Sequence, residues 1–168
     1  TKSPEQLDGT HLHITAGTNN TLVTSFLHGG TGAGERLLYK ISAEMDRTDE
    51  WNADPSKSGG DIYRVNGFME YLFGDVEKVS FSAGTTYTKN SNYLAAEYFG
   101  TVNLKSFTSY ISGKLDLNRF TVRAFFNYTE NRNSWPDSGD FQDWTIQTAD
   151  VELLHTIKIR KHSLLWGL

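Results

Sequence analysis

The chain has 168 residues, about one domain by the usual length prior, with 16 basic against 20 acidic side chains and a formal charge of -4. That balance makes it a poor nucleic-acid binder, which needs clustered basic charge. The absence of cysteine excludes a disulfide framework, a thiolate metal site and a cysteine nucleophile. No apolar run approaches the roughly 18 residues of a membrane-spanning helix. Aromatics at 13% with 15 glycines and 3 prolines point to β structure.

Taken in chain order, the opening Thr1-Lys2-Ser3-Pro4-Glu5 has no apolar core of the kind a signal peptide carries. Leu12, Ile14 and Ala16 then alternate with His11, His13 and Thr15, a first strand closed by the turn Gly17-Thr18-Asn19. Residues 22–28 form a second strand, followed by a glycine-rich stretch at 29–34. That stretch lacks the spacing of a phosphate loop, and strand-like alternation follows it instead of a helix, so it is expected to be a hairpin turn. Tyr39, Ile41, Ala43 and Met45 alternate with Lys40, Ser42, Glu44 and Asp46. Residues 63–73 set Tyr63, Val65, Met69, Tyr71 and Phe73 against Arg64, Asn66, Phe68 and Glu70. The same two-residue period returns at 79–88, 120–129 and 149–158, and the tail 163–168 reads as one more strand. The reading is about nine strands and no helix.

Alternation gives two unlike faces without saying which one meets water. A soluble sandwich buries its apolar row, whereas a membrane barrel turns that row to lipid. Two features favour lipid. The alternation persists for about ten residues per segment, near the 9–11 of a tilted transmembrane strand, against about 5–6 in soluble strands. The connections also alternate in length: 46–61, 89–105 and 130–143 are long, while 74–77, 117–119 and 160–162 are short. Short turns on one side and long loops on the other are the habit of an up-and-down membrane barrel. The fold class is therefore an all-β antiparallel meander, part of a transmembrane barrel and open in this chain.

The long loops hold Trp51, Tyr93, Tyr98, Phe99 and Trp135 among Asn, Asp and Ser. Such aromatics suit ligand recognition, and equally an aromatic belt at the membrane boundary. The polar rows carry Arg64, Glu70, Arg123, Asp150 and Glu152, which read as a lumen wall of compensating charges more readily than as an acid/base pair. His11 and His13 share a strand face, but spacing gives them no third ligand, so no metal site is expected. His155 falls in an apolar row near a short turn, where an amphipathic ring suits a membrane interface. No G-x-S-x-G elbow accompanies the Ser, His and Asp residues, so neither an enzyme nor a cofactor is expected.

The opening, followed by Asp8-Gly9-Thr10 and Ala16-Gly17-Thr18, resembles the plug-to-barrel junction of TonB-dependent outer-membrane receptors. Arg47-Thr48-Asp49-Glu50-Trp51, Asp61-Ile62-Tyr63-Arg64-Val65-Asn66 and His162-Ser163-Leu164-Leu165-Trp166-Gly167 look like that family's early barrel strands, in the right order. The resemblance implies residues 1–8 as the end of a plug domain and 9–168 as the first part of a barrel of about 22 strands. It implies a bacterial outer membrane, contact with its lipid, and uptake of a siderophore, vitamin or sugar, such as a ferric chelate. The plug proper and the TonB-binding segment would lie outside this chain, an internal fragment. The rivals are a complete eight-stranded outer-membrane barrel of structural or adhesive role, a soluble lipid-binding barrel, and a barrel enzyme such as a lipase.

Overall fold

The structure is a computed structural model that describes residues 8–18, 20–48, 59–93, 101–136, 138–159 and 162–167, with backbone alone for 91–93, 101, 158–159 and 162–163. Nine strands follow one another: β1 (Gly9–Ala16), β2 (Leu22–Gly32), β3 (Leu37–Thr48), β4 (Gly59–Leu72), β5 (Lys78–Tyr93), β6 (Thr101–Leu117), β7 (Phe120–Trp135), β8 (Asp140–Ile159) and β9 (His162–Gly167). Each pairs antiparallel with the next, so spatial order equals chain order, and β1 and β9 are the two edges of one open sheet. No helix occurs among the described residues. The all-β meander read from alternation is the observed architecture.

Register decides the faces, because directly opposed residues of an antiparallel pair project to the same side. One row runs Leu12, Phe26, Ala43, Val65, Thr85, Ser109, Tyr128 and Gln147 across eight strands. Stepping two residues at a time from it places Tyr39, Ile41, Met45, Met69, Phe81, Val122, Phe126, Val151 and Leu153 on that same face. Among the described strand residues, all the exposed large hydrophobics lie there except Phe125, Trp144, Ile146 and Leu165. Leu38 and Val102 alone among described hydrophobic side chains are buried.

Two aromatic rows bound the apolar face. At the end that holds connections 49–58, 94–100 and 136–139, Tyr63, Tyr87 and Phe107 oppose one another in turn. Tyr128 meets Phe107 edge-on at 6.3 Å. At the other end Phe120, His155 and Trp166 share a row. The Phe120 and His155 rings stack at 4.1 Å, and Trp166 stands against His155 at 5.7 Å and 77°. On β7 the band between the rows runs from Phe120 to Tyr128, close to the 9–11 residues of a membrane-crossing strand.

The strands run further than alternation foretold. Residues 130–143, expected as a long loop, are mostly strand, and the turn between β7 and β8 is only 136–139. Strand also continues through 89–93 and 101–105. Polar pairs hold these extensions: the Arg132 Nε–H donates to both oxygens of Asp143 at 3.0 and 3.1 Å. The glycine stretch differs likewise. Gly29 to Gly32 belong to β2, and the turn is 33–36, with positive φ at Ala33, Gly34 and Glu35. Gly30 stays in the ladder opposite Tyr39, whose hydroxyl would stand 3.5 Å from any β-carbon placed there.

Gly84 is a tighter case. A β-carbon there would come within 2.6 Å of the Tyr110 ring, whose hydroxyl donates to Asn66 Oδ1 at 3.1 Å. Gly67, on the apolar face, has open space instead. Gly84→Ala should therefore cost about 1–3 kcal/mol in a urea titration of the folded protein, the usual range for overpacking. Gly67→Ala should cost far less. Equal costs would mean that Tyr110 does not depend on the bare backbone beneath it.

Candidate functional site

The polar face is a wall of paired charges. Arg64 donates to Glu44 at 2.8 Å, Lys78 lies 3.0 Å from Glu70, and Arg123 lies 3.2 Å from Glu152. Asp116 is held by Lys114 at 2.6 Å and by the Thr121 hydroxyl at 2.7 Å. All five residues read as lumen-facing, Arg64, Glu70, Arg123, Asp150 and Glu152, fall on this face. Asp150 sits opposite Phe125, with no ion pair among the described residues. The pairs are half-exposed, so each contributes about 0–1 kcal/mol. Their effect is to neutralise much of the wall: Glu44, Glu70, Asp116 and Glu152 each have a cation beside them. Among the described residues no three His, Asp or Glu side chains gather where they could hold a metal.

Within this wall lies an aromatic cradle that alternation did not foretell. Phe68 and Phe125 flank a depression of about 300 Å³ whose floor includes Ser82 and Ser112, bonded hydroxyl to hydroxyl at 2.7 Å. Phe68 was legible in the polar row of its strand, but only the pairing of four strands shows that it faces Phe125 across small residues.

The end with the long connections is different. Asn131, Asn133 and Trp135 project from β7 onto the polar face, and each carries a buried polar atom without a hydrogen-bond partner: Asn131 Nδ2, Asn133 Oδ1 and Trp135 Nε1. Asn131 is only 6% exposed. It lies between Ser106 and Trp144 in the register, and Asn133 between Leu104 and Gln142. A buried polar atom left unpaired costs about 1–3 kcal/mol, and three on one strand edge form an unfilled set of donors and an acceptor. Trp135 was expected to contact ligand on its residue type. Asn131 and Asn133 were not singled out, although the spacing Asn-x-Asn-x-Trp is visible once this segment is recognised as strand. Tyr93 is the last residue of β5, its side chain outside the described set, and Trp51, Tyr98 and Phe99 lie outside the described residues.

No protein-family model matches the chain, and no curated protein matches it in sequence. What fold and wall define is a class of architecture: an open antiparallel meander with one apolar and one polar face, consistent with part of a barrel.

Asn131 gives a direct test of the unfilled set. Asn131→Thr, close in volume and without the orphaned amide, should raise the stability of the protein by about 1 kcal/mol in denaturant titration. A loss of stability would show that the amide is satisfied in solution.

Proposed function

We propose that the chain is a fragment of an outer-membrane receptor for TonB-dependent active uptake of a scarce nutrient such as a siderophore, vitamin or sugar. Residues 1–8 are then the end of its plug and 9–168 the first strands of its barrel. The observation that carries this reading is the exposed apolar face. A water-soluble domain of this length buries about 70% of its unfolded surface, yet here only Leu38 and Val102 are buried among the described hydrophobic residues. Something outside the chain must cover a band nine residues tall from Phe120 to Tyr128 on β7, fringed by aromatics on both margins. Lipid fits, because a bilayer takes an outward apolar band of about 25 Å between two aromatic girdles.

In this reading the bacterial outer membrane is the setting and β1 starts at the periplasmic face. Connections 49–58, 94–100 and 136–139 then fall outside the cell. The charged wall of Arg64, Glu70, Arg123, Asp150 and Glu152 lines water or holds the plug, where ionised groups escape lipid. The ligand, a ferric chelate or another oxygen-rich molecule, is gripped from the outer end by Trp135, Asn131 and Asn133, and by the loop aromatics Trp51, Tyr93, Tyr98 and Phe99. The plug and TonB act through segments other than these strands. The protein is a transporter and not an enzyme, and it uses no cofactor of its own.

Two substitutions separate the halves of this reading. Phe126→Arg puts a cation inside the apolar band, two residues from its Tyr128 margin, and should impair assembly in a bilayer, by less than the roughly 2–4 kcal/mol of the midplane. Trp135→Ala should leave assembly intact and weaken ligand binding. Normal insertion of the Phe126→Arg protein would remove the membrane half. Unchanged affinity in Trp135→Ala, and in each loop aromatic changed likewise, would remove the recognition half.

A further inference from the structure

We propose that Lys89, Lys105 and Arg132 form a binding site for the phosphate of an anionic lipid headgroup, on the apolar face at its long-connection end. The proposal rests on the membrane reading above and names what one margin of that surface touches. Lys89 opposes Lys105 across β5 and β6, and Lys105 opposes Arg132 across β6 and β7. Adjacent strands lie about 4.8 Å apart, so the three cations crowd within about 10 Å. Like charges directly opposed in a sheet destabilise it, and this row carries three in succession.

No ion pair among the described residues neutralises the middle of the row. Lys89 and Lys105 form no ion pair among the described residues. The acids at the row's ends are already engaged: Asp61 lies 3.7 Å from Arg47, and Asp143 takes the Arg132 Nε–H. That bond leaves the guanidinium's two terminal amino groups outside the pair. On the polar face, by contrast, Arg64, Lys78, Lys114 and Arg123 each have a carboxylate at 3.2 Å or less. Lys89 and Lys105, described strand cations without an ion pair, both stand on the margin beside the apolar band.

A shallow depression of about 160 Å³ marks the place, lined by Tyr87, Phe107, Lys105, Arg132 and Glu130. Glu130 opposes anion binding there; its carboxylate accepts the Tyr128 hydroxyl at 3.1 Å. The cation row lies two residues beyond the row of Tyr63, Tyr87 and Phe107, about 6–7 Å further along the strands. That is headgroup depth if the aromatics mark the interface. A guanidinium fork and two ammonium groups suit a phosphate, and the aromatic floor below suits the first methylenes of its acyl chains. A free phosphate would gain only the charges.

The test folds the protein into dodecyl maltoside micelles. Phosphatidic acid, diacylglycerol with the same chains, and inorganic phosphate are then titrated separately, with binding read by tryptophan fluorescence and by lipid retained in native mass spectrometry. Phosphatidic acid should bind well above diacylglycerol and weaken with added salt. Lys89→Gln/Lys105→Gln/Arg132→Gln should lose about fivefold in affinity per cation removed. Lys105→Gln alone, at the centre of the row, is read the same way, so the test stands if the triple variant misfolds. Lys78→Gln/Lys114→Gln, which removes two cations from the other face, should change nothing, and Glu130→Gln should tighten binding. Equal retention of the two lipids, unchanged affinity in Lys105→Gln, or displacement of phosphatidic acid by inorganic phosphate at comparable concentration would each overturn the proposal. A protein that stays monomeric in plain buffer and takes up no detergent overturns the membrane reading itself, and does so before any lipid is added.

Discussion

Everything in this sheet depends on a pairing constraint. Each strand bonds only to its sequence neighbours, and the side-chain period of two then leaves no freedom about which face a residue joins. A slip of one residue at any ladder would carry a whole strand's apolar set across to the charged wall. The constraint is kept from Leu12 on β1 to Trp166 on β9, through turns of quite different length. The sheet therefore has no core in the ordinary sense. Its unlike faces are the organising feature, and each needs a different medium against it.

How each face holds together follows from that medium. The polar wall stays neutral by cross-strand pairs such as Arg64 with Glu44 and Arg123 with Glu152, at modest energy per pair. Close approach comes from bare backbone, as where the Tyr110 ring lies over Gly84. The apolar face needs no such devices in mid-band, and its organisation gathers at the two margins, where aromatic rings stack or meet edge-on. Polarity and unmet bonding capacity collect together at one end of the molecule. Asn131, Asn133 and Trp135 stand on one face of β7 there, and Arg132 stands on the other.

The strand order and the faces were legible because alternation is strong wherever one side of a strand is apolar. Tyr39, Val65, Phe81, Phe126 and Val151 could be assigned to one face before any pairing was known. The signal failed where both sides turn polar. Glu130, Asn131, Arg132 and Asn133 show no apolar period, so they read as loop, yet ladder bonds and the Arg132–Asp143 pair carry them as strand. Gly29 to Gly32 misled for a related reason, since glycine marks a turn in sequence and here continues β2 in the ladder opposite β3. The orphaned atoms at the end of β7 could not be read at all, because partnerlessness is a property of the assembled sheet. Phe68 is similar, an oddity in a polar row until the fold set it across a serine floor from Phe125.

The purely sequential pairing of the nine strands also bears on how such a sheet comes into being. No ladder joins elements distant in the chain, so the entropy of closing large loops is never a barrier, and each hairpin can form as soon as its two strands exist. The two-residue connection at 118–119, with Asn118 at a positive φ of 37°, joins β6 and β7 by one of the shortest links in the sheet. A sheet grown from any such hairpin adds its strands one at a time, each beside its chain neighbour. At every stage the newest strand offers its unbonded amides and carbonyls as the template for the next.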